Sequence, residues 1–186
     1  MGMDHHLLLR SLLVERSLAI GDFTLSSGAR SSYYIDGRLT TMSAKGQFLV
    51  GMVGFEAMCK HWPDAGWLGG LTLGADPIAY AVAHRSWLEG VPLGAFTVRK
   101  AAKEHGAGRR IEGGPPPGAR VVIVEDTLTS GASALSAAEA VEAEAGVIMG
   151  VLALVDRGVG GAERVRAAGH TLVSLFTAQE LVSTTG

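Results

Sequence analysis

The spacing of apolar positions along the chain changes several times, and each change marks an element. Between residues 4 and 20, Leu7, Leu8, Leu12, Leu13, Leu18 and Ile20 recur at near-helical spacing with charged residues between them, which predicts an N-terminal amphipathic helix. Phe23-Thr24-Leu25-Ser26-Ser27-Gly28 and Ser32-Tyr33-Tyr34-Ile35-Asp36 read as two short strands around a Gly turn, and residues 43–61 as a helix. From there strands and helices alternate: strand 67–71, helix 77–88, strand 93–98, strand 121–124, helix 133–144, strand 147–155, helix 162–168 and strand 171–176. This alternation predicts an α/β fold, a mostly parallel central sheet with helices on both faces. Residues 1–40 do not share it and are expected to form a small N-terminal hood over one end of the sheet, within a single domain spanning 1–186. No internal repeat or low-complexity segment is evident.

Composition narrows the class. At 186 residues the chain suits one domain with a sizeable core, and 47% hydrophobic with 18% charged residues is ordinary for a globular protein. A net charge of −2 gives no general attraction to nucleic acid or to an anionic membrane, so any anion affinity must be local. The lone cysteine, Cys59, excludes an internal disulfide; it lies in an apolar helical stretch and reads as a small core residue. No run is long enough for a membrane span and the start lacks a secretory pattern, so a cytoplasmic location is expected. His5, His6, His61, His84, His105 and His170 lack ligand-like spacing, and no built-in metal site is expected. His5 and His6 read as part of a solvated terminus.

The chemistry concentrates in residues 121–133. Val121-Val122-Ile123-Val124 reads as a strand buried on both faces, and it runs directly into Glu125-Asp126, a hydroxyl-rich loop with Gly131, and Ser133 at the start of an Ala-rich helix. Backbone N–H groups at a helix N-terminus suit a phosphate, with Thr129, Ser130 and Ser133 adding donors. Two acids at a strand end can accept from neighbouring ribose hydroxyls. Together these parts suit a ribose 5-phosphate. A second feature is the gap at residues 100–118, where Lys100, Lys103, His105, Arg109 and Arg110 are interspersed with five glycines and followed by Pro115-Pro116-Pro117. A basic, Gly-rich segment beside a phosphate cradle reads as a mobile catalytic lid.

These segments together resemble the orotate phosphoribosyltransferases, of the type I phosphoribosyltransferase group. Val121–Ser133 is similar to the group's phosphoribosyl pyrophosphate signature, and Phe23–Gly28 with Tyr33-Tyr34 to the orotate family's hood. Arg99-Lys100, Lys103, His105 and Arg110-Ile111-Glu112-Gly113 resemble its lid, and Val155-Asp156-Arg157 its late strand and arginine. The resemblance implies transfer of ribose 5-phosphate from phosphoribosyl pyrophosphate to orotate, with Mg²⁺ held mainly by the substrate pyrophosphate. It implies a homodimer with active sites shared across the interface, binding neither nucleic acid nor membrane. Lys103, His105 and Asp126 are implied as catalytic. Phosphoribosyl pyrophosphate would be bound by Arg99, Lys100, Lys103, His105, Glu125, Asp126, Thr127, Leu128, Thr129, Ser130, Gly131, Ala132 and Ser133. Orotate would meet Thr129, Arg157, Ser26, Tyr33 and Tyr34.

Two positions depart from the commoner family pattern. Ser26 stands where many relatives carry a lysine, and Gly69-Gly70-Leu71-Thr72-Leu73-Gly74-Ala75-Asp76-Pro77, with its departure over residues 71–77, stands in place of a Tyr-Lys-Gly-like pyrophosphate loop, leaving backbone N–H groups, Thr72 and Asp76 as candidates for pyrophosphate and for Mg²⁺ through water. On residue chemistry alone Arg157 reads as a surface arginine with a salt bridge to Asp156 or another nearby acid. Two other functions are weighed: a purine phosphoribosyltransferase, and a regulatory protein of the same fold that senses phosphoribosyl pyrophosphate. The hood and Arg157 speak against the first, and the lack of a DNA-binding segment or basic face against the second.

Overall fold

Val121 and Ile123 point to one side of their strand, Val122 and Val124 to the other, and all four are fully buried. In this computed structural model, which describes residues 4–24, 28, 30–101 and 110–184, that alternation divides the interior into two cores. The strand is β6 (Arg120–Leu128) in a six-stranded sheet whose other members are β3 (Trp67–Leu71), β4 (Gly94–Val98), β5 (Ile111–Glu112), β7 (Val147–Asp156) and β8 (Leu172–Thr177). Their order is β5-β4-β3-β6-β7-β8, parallel throughout except for β5, a short antiparallel edge strand.

One core gathers Val122, Val124, Leu152 and Leu154 under α1 (His5–Arg16), α3 (Ala44–His61) and α4 (Ala75–Leu88). The other gathers Val121, Ile123, Val151 and Ala153 under α5 (Ala132–Ala143) and α6 (Gly161–Ala167). Strand period two thus feeds both helical layers from one continuous apolar run. Two short helices escape the sequence pattern: α2 (Arg38–Thr41), and α7 (Ala178–Ser183) behind a capping box of Thr177 and Glu180.

The hood segment has two parts. Helix α1 is capped by the Asp4 side chain and buries Leu9, Leu12 and Leu13 in the core that holds Leu49 and Val50 of α3. It stops at Arg16, four residues short of the predicted end. Leu18, Ala19 and Ile20 instead pair with Ile35, Tyr34 and Tyr33, forming an antiparallel ribbon of β1 (Leu18–Thr24) and β2 (Arg30–Ile35). Cys59 is exposed, since α3 turns Val50, Val53, Ala57 and Met58 inward and leaves Cys59 off that stripe. The docking of α1 also holds His6, whose ring lies 4.4 Å from that of Phe176, with Nε2 3.1 Å from the Leu175 carbonyl oxygen.

The chain leaves β3 toward β4 on one side and returns to pair β6 on the other. The carboxyl ends of β3 and β6 therefore flank a topological switch point, where open α/β sheets hold ligands.

Candidate functional site

A cleft of about 770 Å³ opens at that switch point. Its floor is the last part of β6. The strand continues four residues beyond the predicted Val124, because Glu125, Thr127 and Leu128 pair with Ala153, Val155 and Asp156 of β7. The acids therefore sit within a paired strand, rigidly aimed. Glu125, Asp126 and Thr127 line the cleft, followed by Thr129, Ser130 and Ser133 from the turn into α5. Leu128 points into the core, fully buried, and its carbonyl oxygen accepts the Arg157 N–H at 3.0 Å. Gly131 and Ala132 do not line the cleft; Gly131 makes the turn, with φ 74° and a would-be Cβ 3.0 Å from the Gly161 carbonyl oxygen. Its left-handed backbone lets α5 start directly behind the hydroxyls and present its N-terminal end to them.

Burial shapes the charges. Removed from water and next to Asp126, the Glu125 carboxyl has its pKa pushed up to about 8. Burial raises Asp126 as well, with the Thr127 backbone hydrogen bond and the charge of Arg38 acting in the opposite direction. Thr127 Oγ1 is buried without a hydrogen-bond partner among the described residues. Gly74 closes over this pair: a Cβ there would stand 2.4 Å from Asp126 Oδ1.

The far wall carries Arg157. Its guanidinium lies 5.2 Å from the centre of the Tyr33 ring, its Nη2 donates to Ser31 Oγ at 3.5 Å, and its Nε is buried without a partner among the described residues. Asp156 does not pair with it; that carboxylate accepts the Gly158 N–H at 2.9 Å. Tyr33 and Tyr34 divide their roles, since alternate residues of β2 face opposite ways. Tyr34 lines the cleft, whereas Tyr33 backs Arg157 and its hydroxyl donates to the Arg157 carbonyl oxygen at 3.5 Å.

The third wall is Leu71, Thr72, Leu73 and Gly74, with a cis peptide between Thr72 and Leu73. Asp76, weighed above for Mg²⁺, is turned inward. It is buried and accepts from the Thr72 hydroxyl at 2.6 Å and the Thr97 hydroxyl at 2.8 Å, fastening the loop to β4. Lys100 reaches the cleft, but Arg99 pairs with Glu112 at 3.0 Å and does not line it. Ser26, Lys103 and His105 lie outside the described residues.

The reading of the sequence passed over Asp36 and Arg38, which also line the cleft. Asp36 grips Arg38 with both oxygens, to Nε and Nη2 at 2.9 Å each, and accepts the Arg38 backbone N–H at 3.1 Å. This pair holds the Asp36 carboxyl below the usual carboxylate range. The signal available was an acid and a base two residues apart, directly after Tyr33-Tyr34-Ile35.

The site can thus take a phosphate at α5, hydroxyls at the acids and a planar anion at Arg157. No family model matches the chain. It is 45% identical to the orotate phosphoribosyltransferase of Aquifex aeolicus over 177 residues, 94% of this chain and 96% of that one. It is also 45% identical to the orotate phosphoribosyltransferase of Mycobacterium leprae, over 87% of each. Among solved structures, the Mycobacterium tuberculosis orotate phosphoribosyltransferase in complex with Fe(III) dicitrate matches with a TM-score of 0.84 at 42% identity, covering 95% of this chain and 98% of that one. The same protein in complex with phosphoribosyl pyrophosphate matches with a TM-score of 0.80 at 38% identity and the same coverage.

Proposed function

The chain belongs to the orotate phosphoribosyltransferase family, and from that premise we infer that it transfers ribose 5-phosphate from phosphoribosyl pyrophosphate to orotate, giving orotidine 5′-phosphate and pyrophosphate. The reaction breaks the bond from ribose C1 to the diphosphate oxygen and forms one from C1 to the base nitrogen, a step of pyrimidine synthesis. The observation that carries the reading is one cleft holding the N-terminal end of α5, a half-buried acid pair and a partly buried arginine whose Nε has no partner among the described residues.

In the proposed mechanism, backbone N–H groups of residues 129–132 and the hydroxyls of Thr129, Ser130 and Ser133 hold the 5-phosphate against the helix dipole. Glu125 and Asp126 take the ribose hydroxyls. As the leaving group departs, positive charge grows at C1 and negative charge on the diphosphate, so fixed charges matter more than a nucleophile. Asp126 answers the first. Lys100, together with Lys103 and His105 of the lid, answers the second. Arg157, braced by Tyr33 and Ser31, offers its free Nε and remaining N–H groups to the orotate carboxylate.

The residues present fit a Mg²⁺ that travels with the substrate. Glu125 and Asp126 offer hard oxygens along the cleft, yet among the described residues no group of three or more His, Cys, Asp or Glu side chains can hold a metal alone. Carried in with the substrate and met by Glu125 and Asp126, Mg²⁺ would supply charge neutralisation to the leaving group.

We also propose a cytoplasmic homodimer with shared sites. In support, Phe48, Tyr80 and Leu88, each more than half exposed, line one groove between α3 and α4. No helix among the described residues is long and apolar enough to cross a membrane.

The direct test is the loss of orotate absorbance in the presence of phosphoribosyl pyrophosphate and Mg²⁺. Turnover is expected with orotate and not without either partner; no orotate loss by the folded protein would refute the reading.

A further inference from the structure

A diphosphate needs cations, and among the described residues the cleft has three: Arg38, Lys100 and Arg157. Arg157 is committed to the far wall by Ser31 and Tyr33. The wall of Thr72–Gly74 carries no charge of its own, and Asp76 behind it is turned away. Arg38 is well placed to fill this gap. Its neighbour Gly37 packs against Asp126, with a would-be Cβ 3.4 Å from Asp126 Cβ and 3.5 Å from Asp126 Oδ2, while Gly74 approaches the same carboxylate from the loop. The Arg38 turn and the uncharged loop therefore flank one carboxylate between them.

Asp36 uses two N–H groups of the guanidinium and fixes its orientation, leaving the other donors of the fork unassigned on a side chain that is 45% exposed. Such a half-engaged, pre-oriented arginine loses little freedom when it meets a phosphate oxygen. The charge is secure, since Asp36 first, and Asp126 and Tyr34 at longer range, favour the protonated form.

We propose that Arg38, positioned by Asp36, is a substrate-binding residue for the diphosphate of phosphoribosyl pyrophosphate, supplying the cation that the Thr72–Gly74 loop lacks. The proposal rests on the reading given above. Asp36 is the positioning residue: it acts through Arg38 and makes no contact with substrate in this account.

The test varies phosphoribosyl pyrophosphate and orotate separately in Arg38→Gln, Arg38→Lys and Asp36→Asn variants shown by thermal melts to be folded. Calorimetry with Mg²⁺-pyrophosphate and with orotidine 5′-phosphate accompanies it, as the second ligand has no diphosphate. Arg38→Gln is expected to raise the KM for phosphoribosyl pyrophosphate about ten- to a hundredfold and to weaken pyrophosphate similarly. The orotate KM and orotidine 5′-phosphate affinity should stay within about twofold. Arg38→Lys should recover part of the loss, as charge remains without the fork, and Asp36→Asn should fall between. An unchanged KM for phosphoribosyl pyrophosphate in Arg38→Gln overturns the proposal, and so does equal weakening of orotidine 5′-phosphate, which would put Arg38 at the base. A wild-type protein that fails to consume orotate would instead defeat the underlying reading, so the two failures are distinct.

Discussion

Glu125 sits in the cleft with its pKa raised from 4.5 to about 8 by burial and by the adjacent Asp126. The folded protein therefore keeps a proton that the unfolded chain has already released, and between these two values the native state binds more protons. Stability should fall as pH rises from about 4.5 to about 8 and level off above, with Asp126, also raised by burial, adding to the decline. Glu125→Gln cannot ionise, so it should flatten that slope and melt a few degrees higher than the wild type at pH 8.5. Ligand-free thermal melts across this range check it; an unchanged slope in the variant would contradict the burial argument. Arg157 makes a separate prediction. Arg157→Ala removes the proposed partner of the orotate carboxylate and leaves the proposed phosphate cradle, so calorimetry should show orotate weakened about ten- to a hundredfold and phosphoribosyl pyrophosphate within about twofold. Equal weakening of both ligands would move Arg157 out of the base site.

At the scale of elements, the loop after β3 and the end of β6 work as one device, and Gly74 is where they touch. A methyl group at Gly74 would collide with Asp126 Oδ1, so Gly74→Ala must displace either the loop or the acid. It should lower kcat/KM about a hundredfold while costing only a few degrees of melting temperature, because the collision is at the mouth of the cleft and not in the core. Steady-state kinetics beside melting curves would check this. The two-faced burial of Val121–Val124 was legible from the local apolar run, and β3, β4, β7 and the helices that alternate with them from the spacing of apolar positions. The extension of β6 was not, since polar Glu125, Asp126 and Thr127 are held in the strand by pairing with β7, a partner almost thirty residues away. Leu18 and Ile20 fit a helical stripe equally well and were drawn into a strand by Ile35 and Tyr33. In the site, the acids, the hydroxyls and Lys100 stood out by residue type and order, whereas Arg157 was marked only by the family resemblance. Asp36 and Arg38 belonged to no motif that marked them out, and the turning of Tyr33 behind Arg157 depends on how the ribbon meets that residue, far away in the chain. Local pattern reports which face a residue prefers, but not which distant element meets that face.

For the whole molecule, the sheet brings the N-terminal end of α5, the acid pair and Arg157 to one switch point, and the proposed dimer would complete the proposed site with Lys103 and His105 of the partner's lid. Lys103→Ala and Asp126→Asn should each be severely impaired. Mixed so that subunits exchange, they should regain about a quarter of wild-type activity, because about half the dimers are hybrids with one intact site. No recovery with exchange confirmed would mean the lid serves its own subunit. The central claim, transfer to orotate, is tested most directly by competition. Orotate, uracil, adenine, hypoxanthine and xanthine are mixed at equal concentration with phosphoribosyl pyrophosphate, Mg²⁺ and the protein, and the nucleotide products are separated and identified. The account predicts orotidine 5′-phosphate as the dominant product, matched one-to-one by pyrophosphate and nearly abolished by Asp126→Asn. A purine nucleotide as the main product, or no nucleotide from a folded, phosphoribosyl pyrophosphate-binding protein, would contradict it.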